Sequence, residues 1–117
     1  MATEYFIRDS DNLIKLTLTE DGVPISGAWS AVDIVVDGTT VIHRTGDGNG
    51  VTLDTTTGLL TISPGDLTAD EKALFAVFTP ERIYRTQIVV TSALNDDGAV
   101  FGGPGSELLY FYISDKP

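Results

Sequence analysis

Apolar and polar residues alternate in several short stretches of the chain. Residues 13–19 read Leu-Ile-Lys-Leu-Thr-Leu-Thr, and residues 31–36 read Ala-Val-Asp-Ile-Val-Val. In both stretches every second side chain is apolar, which is the period of a strand that buries one face. Residues 82–91 form the longest such stretch, with Ile88 and Val90 on its apolar face. These patterns predict half-buried β-strands.

Turn-forming residues separate the predicted strands at short intervals. Asp37-Gly38 lies between two β-rich runs and predicts a two-residue hairpin loop. Residues 51–54 and 58–62 flank three threonines and predict a second hairpin. Two further apolar runs, 73–79 and 108–113, are also expected to be strands. Regular short strands separated by turns indicate an all-β sandwich or barrel.

One helical turn interrupts the strands. Thr68 and Glu71 have the spacing of a capping box, in which each side chain accepts a hydrogen bond from the other residue's backbone N–H. The sequence therefore predicts a short helical turn near residues 66–72. We expect residues 1–11 to form an N-terminal arm, residues 12–114 the β-sandwich domain, and residues 115–117 a tail.

Composition narrows the classes of partner. The 117 residues include 17 acidic and 7 basic side chains, which gives a formal net charge of −10. Such a charge disfavours binding to nucleic acid and to anionic membranes. The chain has no cysteine, and its start has no signal-peptide pattern. Its longest apolar runs fall far short of the roughly 20 residues of a membrane-spanning helix.

The residue types that carry catalysis or bind metals form no convincing constellation. His43 is the only histidine and is expected on the surface or on an edge strand. Asp47 and Asn49 alternate as in a calcium loop, but the twelfth position of such a loop would be Gly58, which has no carboxylate. The interpretation is therefore an ordinary turn. We expect no catalytic residue, no metal site and no cofactor, so the chain is predicted not to be an enzyme.

Aromatic residues supply the candidate interface. Tyr110 and Tyr112 alternate with apolar residues in the last strand, so one face packs in the core and the other against a second sheet or a partner subunit. The arm and the single tryptophan complete the candidate set of interface residues, which is Tyr5, Phe6, Ile7, Trp29, Tyr110 and Tyr112.

Two turn motifs carry a resemblance to a known family. The first places glycine, proline and a Gly-Ala pair before a strand, and the second closes a later hairpin. The matching residues are Gly22, Pro24, Gly27 and Ala28 in the first motif, and Gly58, Thr61, Ser63, Pro64 and Asp66 in the second. With this order of segments, the chain resembles the small immunoglobulin-like β-sandwich domains of tailed-bacteriophage virions. The resemblance implies an immunoglobulin-like antiparallel sandwich of about seven to nine strands.

This resemblance implies a structural role. The family has no catalytic residues to carry over, and its members pack against other virion proteins. We expect a capsid cement or decoration protein that is made in the host cytoplasm and assembles into the virion. Its partners would be the major capsid protein or other virion proteins and further copies of itself, with a trimer favoured. A tail or baseplate adaptor of the same fold and a carbohydrate- or receptor-binding sandwich module remain as alternatives.

Overall fold

A computed structural model describes residues 2–20, 23–24, 29–92, 98–102 and 108–117. These residues form eleven strands, one 3-10 turn over Pro64–Asp66 and one α-helix, α1, over Ala69–Phe75. The strands are β1 (Ala2–Arg8), β2 (Ile14–Thr17), β3 (Thr19–Glu20), β4 (Val23–Pro24), β5 (Trp29–Val36), β6 (Thr39–Arg44), β7 (Val51–Leu53), β8 (Leu59–Ile62), β9 (Arg82–Ser92), β10 (Ala99–Phe101) and β11 (Leu109–Asp115).

Two sheets enclose one hydrophobic core, and β3 and β4 form a separate two-stranded sheet. The larger sheet has the order β1-β11-β9-β5-β6, with β10 paired to the second half of β9, and the smaller sheet has the order β2-β8-β7. Side chains from both sheets join in a single buried cluster. The predicted all-β sandwich is therefore confirmed. The described strands exceed the expected seven to nine because four of them have only two or three residues.

The alternating stretches bury the faces that their patterns indicate. Val32, Ile34 and Val36 of β5 are fully buried, and they lie beside the buried residues Ile88 and Val90 of β9. The two-residue turn at Asp37-Gly38 is also confirmed: both residues have positive φ angles, 51° and 79°. This turn conformation matches the twist of the two strands that it joins.

The expectation of an N-terminal arm is wrong for residues 2–8. They form β1, which pairs in parallel with β11 over its whole length, so the sheet is mixed rather than fully antiparallel. Phe6 anchors the strand because it is 1% exposed and stacks on Phe75 with ring centroids 4.1 Å apart. The strand also extends the sandwich into the expected tail, since Arg8 pairs with Asp115.

The capping box is confirmed, but the expected strand over 73–79 is wrong. The Thr68 side chain accepts a hydrogen bond from the Glu71 N–H, and the Glu71 carboxylate accepts one from the Thr68 N–H. The helix that these bonds start continues through Phe75. Phe75 and Phe78 then turn their rings into the core, 6.1 Å apart. Of the residues that carry the family resemblance, Gly22, Gly27 and Ala28 fall outside the described ranges.

Candidate interaction surface

A row of large apolar side chains crosses the outer face of the larger sheet. Strand register places Tyr5 of β1 beside Tyr112 of β11, and Tyr112 beside Ile83 of β9. All three point away from the core because their sequence neighbours point into it. Tyr5 is 65% exposed and Ile83 is 55% exposed. We call Tyr5, Tyr112 and Ile83 the outer row.

The outer row is ordered by contacts between its own members. The rings of Tyr5 and Tyr112 are tilted by 59° with centroids 5.4 Å apart, within the range of favourable aromatic pairs. Tyr112 is half-buried between its two neighbours. These two tyrosines are therefore packed against each other before a partner binds, which lowers the side-chain entropy lost on binding.

A more polar row lies next to the outer row. Register places Thr3 beside Tyr110 and Tyr110 beside Arg85. Arg85 is exposed and Tyr110 is half-buried. Apolar centre and polar margin together are typical of the surfaces that proteins use to contact one another.

Four of the six predicted interface residues share this face. Tyr5, Tyr110 and Tyr112 lie in the two rows, and Ile7 lies one step further along β1, opposite Ser114. Phe6 was predicted as an interface residue and is instead buried in the core, because neighbouring residues of a strand point to opposite faces. Trp29 lies near the far end of the same sheet, opposite Ser92, and packs against the core.

Ile83 belongs to the surface but was not among the predicted residues. The alternation of β9 contained the signal: Ile83 has the same parity as Arg85 and Gln87, which the pattern assigns to the outer face. An isoleucine at a polar-face position of a half-buried strand indicates an exposed apolar side chain.

A buried ion pair attaches α1 to the sheet and stiffens the scaffold behind this face. Arg44 of β6 binds the Glu71 carboxylate through both terminal nitrogens, and Nη2 lies 2.6 Å from Oε1. Burial alone would raise the pKa of Glu71, but the hydrogen bonds from Arg44 and Thr68 and the charge of Arg44 lower it below its usual value. The same guanidinium donates to the carbonyls of Gly48 and Asn49 and so also holds the loop after β6.

A second arginine joins both ends of the described chain to the helix. Arg8 donates to the Asp115 carboxylate at 2.7 Å and to the carbonyl oxygens of Phe75 and Phe78. It lines a cavity of about 230 Å³ that also contacts Lys72. Nε, Nη1 and Nη2 of Arg8 each already have a protein acceptor. The cavity therefore lies where Arg8 holds β1, β11 and α1 together.

Glu4 is the one carboxylate of β1 and points toward the inner side of the sheet, opposite the buried Phe111. Burial raises the pKa of its carboxyl group above the ordinary value. Among the described residues it has no hydrogen bond or ion pair. Ionisation of Glu4 therefore opposes folding at neutral pH.

The residues considered for chemistry occupy structural positions. His43 lies exposed on β6, at the margin of the sheet, and its Nδ1 contacts the carboxylate of Asp33 on the neighbouring strand. The Asp47 carboxylate accepts a hydrogen bond from the Leu53 N–H, which fixes the turn before β7. Within the described ranges, no three His, Cys, Asp or Glu side chains come close enough together to hold a metal ion.

Comparisons with known proteins give one similar structure. No protein-family model matches the chain, and no curated protein matches it. A solved structure of the extracellular domains of the voltage-gated sodium channel beta4 subunit, described as parallel homodimers that explain its role in cell–cell adhesion, is similar over 99% of this chain and 92% of that one. The sequence identity is 16% and the TM-score is 0.36. Similarity at this level assigns neither a family nor a function. In the part of the chain that the structure describes, no helix has the length and apolar character needed to cross a membrane.

Proposed function

We propose that this chain is a non-enzymatic structural protein that packs against other protein subunits through the outer row. The observation that carries the proposal is the exposure of Tyr5 and Ile83 on either side of Tyr112, on a face of a sheet rather than on a loop. Contiguous apolar side chains with a polar margin are typical of protein interfaces. Tyrosine is also among the residues that most often dominate binding energy.

The setting that we propose is the head of a tailed bacteriophage. The turn motifs that resemble virion sandwich domains support this setting, and so does a net charge of −10, which suits contact with proteins better than contact with packaged DNA. In this role the chain is a capsid cement or decoration protein that binds the major capsid protein and stabilises the shell. The resemblance favours a trimer. A tail or baseplate adaptor would use the same face on another part of the particle.

The test is whether the chain belongs to the virion and binds there through the outer row. We expect mass spectrometry of purified particles to find the chain, and gold-labelled antibodies to place it on the head. A salt or EDTA wash should release it, and electron microscopy should then show damaged shells. Labelling of the tail would instead favour the adaptor, and absence from particles would refute a virion role altogether.

Variants of the outer row separate binding from folding. Purified wild-type protein should rebind washed shells, whereas Ile83→Lys should rebind at least tenfold more weakly, since it places a charge in the apolar centre of the surface. Val77→Lys is the matched control, because Val77 is 79% exposed and lies after α1 rather than on a strand of the larger sheet. Equal rebinding of the two variants would refute the use of this face. Binding of wild-type protein to a glycan array, lost in Ile83→Lys, would assign the face to carbohydrate instead.

A further inference from the structure

The outer backbone edge of β1 is the feature that the proposed function leaves unexplained. β1 stands at one end of the larger sheet and pairs only with β11 in the part of the chain that the structure describes. Every second residue of such a strand directs its N–H and C=O groups away from its one neighbour. Over the seven residues of Ala2–Arg8, this edge offers a row of hydrogen-bonding groups to another strand.

This edge carries few of the devices by which proteins block unwanted strand pairing. The usual devices are lysine, proline, bulges, very short strands and inward-pointing charges. Glu4 is the one inward-pointing carboxylate of β1, and it opposes mainly those registers that bring it opposite a like charge. β1 contains no lysine or proline, and its pairing with β11 runs without a register shift. The charge of Arg8 does not protect the edge, because its guanidinium is bound to Asp115 and to two carbonyl groups.

The other sheet margins are blocked or short, which makes β1 distinctive. At the opposite end of the larger sheet, the pairing of β5 with β6 is interrupted by a register shift after Ile34. In the smaller sheet, the marginal strands β2 and β7 have only four and three residues. Among the described margins, β1 alone combines length, regularity and strand-favouring side chains.

We propose that β1 pairs antiparallel with β1 of a second copy of this chain, about a two-fold axis at Tyr5. In this register Tyr5 lies opposite Tyr5 of the second copy, and Thr3 lies opposite Ile7. All seven residues then take part, whereas a shift of the axis to Phe6 leaves only five residues paired. The sheets of the two copies join into one continuous sheet, and the two outer rows meet at the axis.

The side chains of β1 suit this self-pairing. On the outer face, the opposing pairs are Tyr with Tyr and Thr with Ile, which are aromatic and β-branched residues that favour neighbouring strands. On the inner face, Glu4 lies opposite Phe6, so no two like charges of β1 face each other. An axis at Glu4 would set two carboxylates directly opposite and is disfavoured.

This inference goes beyond the proposed function, because it concerns the backbone edge and a second copy rather than the outer row and a virion partner. A two-fold contact closes at two copies, so it predicts a dimer and not the trimer that the resemblance favours. The two proposals can therefore fail separately. Ile83→Lys should lose binding to shells and keep the dimer, since Ile83 lies two strands away from the edge of β1.

Cysteine cross-linking tests the register directly, because the chain has no cysteine of its own. Residues directly opposite each other in antiparallel strands have Cα atoms about 4.5–5.5 Å apart, which is within reach of a disulfide. Under mild oxidation, we expect Tyr5→Cys to form a covalent dimer in high yield. Thr3→Cys alone and Ile7→Cys alone should not, whereas a mixture of these two variants should cross-link. Val77→Cys is the exposed control outside β1.

Size and charge variants complete the test. Light scattering after gel filtration, with salt added to screen the negative charge, should give a dimer for wild-type protein. Tyr5→Lys and Tyr5→Glu should both give monomers, because a residue on the axis meets its own copy and either charge is repelled. Val77→Lys should remain dimeric, and circular dichroism should show that all variants keep their strand content.

Several results would overturn the proposal. Wild-type protein that is monomeric or trimeric at every concentration excludes the two-fold pair. Cross-linking of Tyr5→Cys no faster than that of Val77→Cys excludes the axis at Tyr5, and so does equally efficient cross-linking of Thr3→Cys alone. Loss of the dimer in Tyr5→Glu but not in Tyr5→Lys would indicate an acidic partner surface instead of a second β1.

Discussion

Replacing Glu71 with alanine removes the anion from the buried pair between α1 and β6. Arg44 and Glu71 are each 8% exposed, so the guanidinium left behind cannot regain full hydration. It keeps its bonds to the carbonyl oxygens of His43, Gly48 and Asn49. The Thr68 N–H loses its acceptor in the same change, because the Glu71 carboxylate closes the capping box at 3.0 Å.

The magnitude follows from the burial and from the bonds that remain. Removing one partner of a buried ion pair costs about 3–5 kcal/mol. The three carbonyl bonds kept by Arg44 place this site at the lower end, and the open capping box adds about 0.5–1 kcal/mol. We therefore expect Glu71→Ala to lower the free energy of unfolding by about 3–4 kcal/mol. For a chain of this size, that corresponds to a fall in Tm of about 12–16 °C.

Urea unfolding followed by circular dichroism measures this loss, with Asp70→Ala as the matched control. Asp70 is exposed in the same first turn of α1, so its loss should cost only about 0.5 kcal/mol through the helix dipole. If Glu71→Ala destabilised the protein no more than Asp70→Ala does, the buried pair would contribute no more to stability than an exposed charge in the first turn.

The pH dependence gives an independent check. The folded-state pKa of Glu71 lies below its usual value near 4.5. The contribution of the Glu71 carboxylate to the free energy of unfolding is therefore fully present above that value. It is lost as the pH falls through the folded-state pKa. The gap between wild-type protein and Glu71→Ala should stay constant near neutral pH and narrow in acid. A gap that widened in acid would contradict this sign.

Three further expectations concern single positions and use thermal or urea unfolding. Glu4→Gln should stabilise the protein at neutral pH, because the raised pKa of Glu4 means that ionisation of its carboxyl group opposes folding. This gain in stability should vanish below about pH 4, where the carboxyl group is protonated in both states. Equal stability of the variant and the wild-type protein at neutral pH would contradict this expectation. Gly50→Ala should cost more than Gly38→Ala, because both have φ near +80° but only at Gly50 would a Cβ lie 2.6 Å from the Ser63 carbonyl oxygen. We expect about 1 kcal/mol at Gly38, and equal losses would argue against the close contact. Thr68→Ala should cost about 1 kcal/mol by removing the helix cap, and a loss near zero would show that the cap is dispensable.

Sequence patterns were sufficient to predict those elements whose conformation depends only on residues close together in the chain. Alternation over 31–36 indicated the buried face of β5, because a strand with one face in the core must repeat every two residues. Asp37-Gly38 indicated its turn because few residue pairs accept two positive φ angles in succession. Thr68 and Glu71 indicated the start of the helix for a similarly local reason.

Features that depend on distant partners were not predictable from the sequence. The sequence predicts an arm where β1 lies, because its partner β11 is about a hundred residues further along the chain and Ala2–Arg8 alone does not reveal that pairing. Residues 73–79 have an apolar run without clear alternation, so the sequence did not show that the helix begun at Thr68 continues to Phe75. Arg44 and Glu71 each resemble an ordinary surface charge until the fold brings them together.

The candidate surface was predictable only in part, for the same reason. Tyr110 and Tyr112 were assigned to a possible interface from the alternation of the last strand. Their grouping with Tyr5 and Ile83 requires the order of three strands in the sheet, which no pattern within one strand contains. Phe6 was misplaced because the arm had no assigned faces, whereas in a strand it must point opposite to Tyr5.

The parallel pairing of β1 with β11 also determines how the domain would respond to mechanical force. Tension applied through the chain before β1 and after β11 pulls these adjacent strands in opposite directions along their common axis. Their hydrogen bonds are then sheared simultaneously instead of being unzipped one after another. Arg8, bound to Asp115 at the end of this pair, adds a charged contact that must break in the same event. Such a domain should yield only at high force.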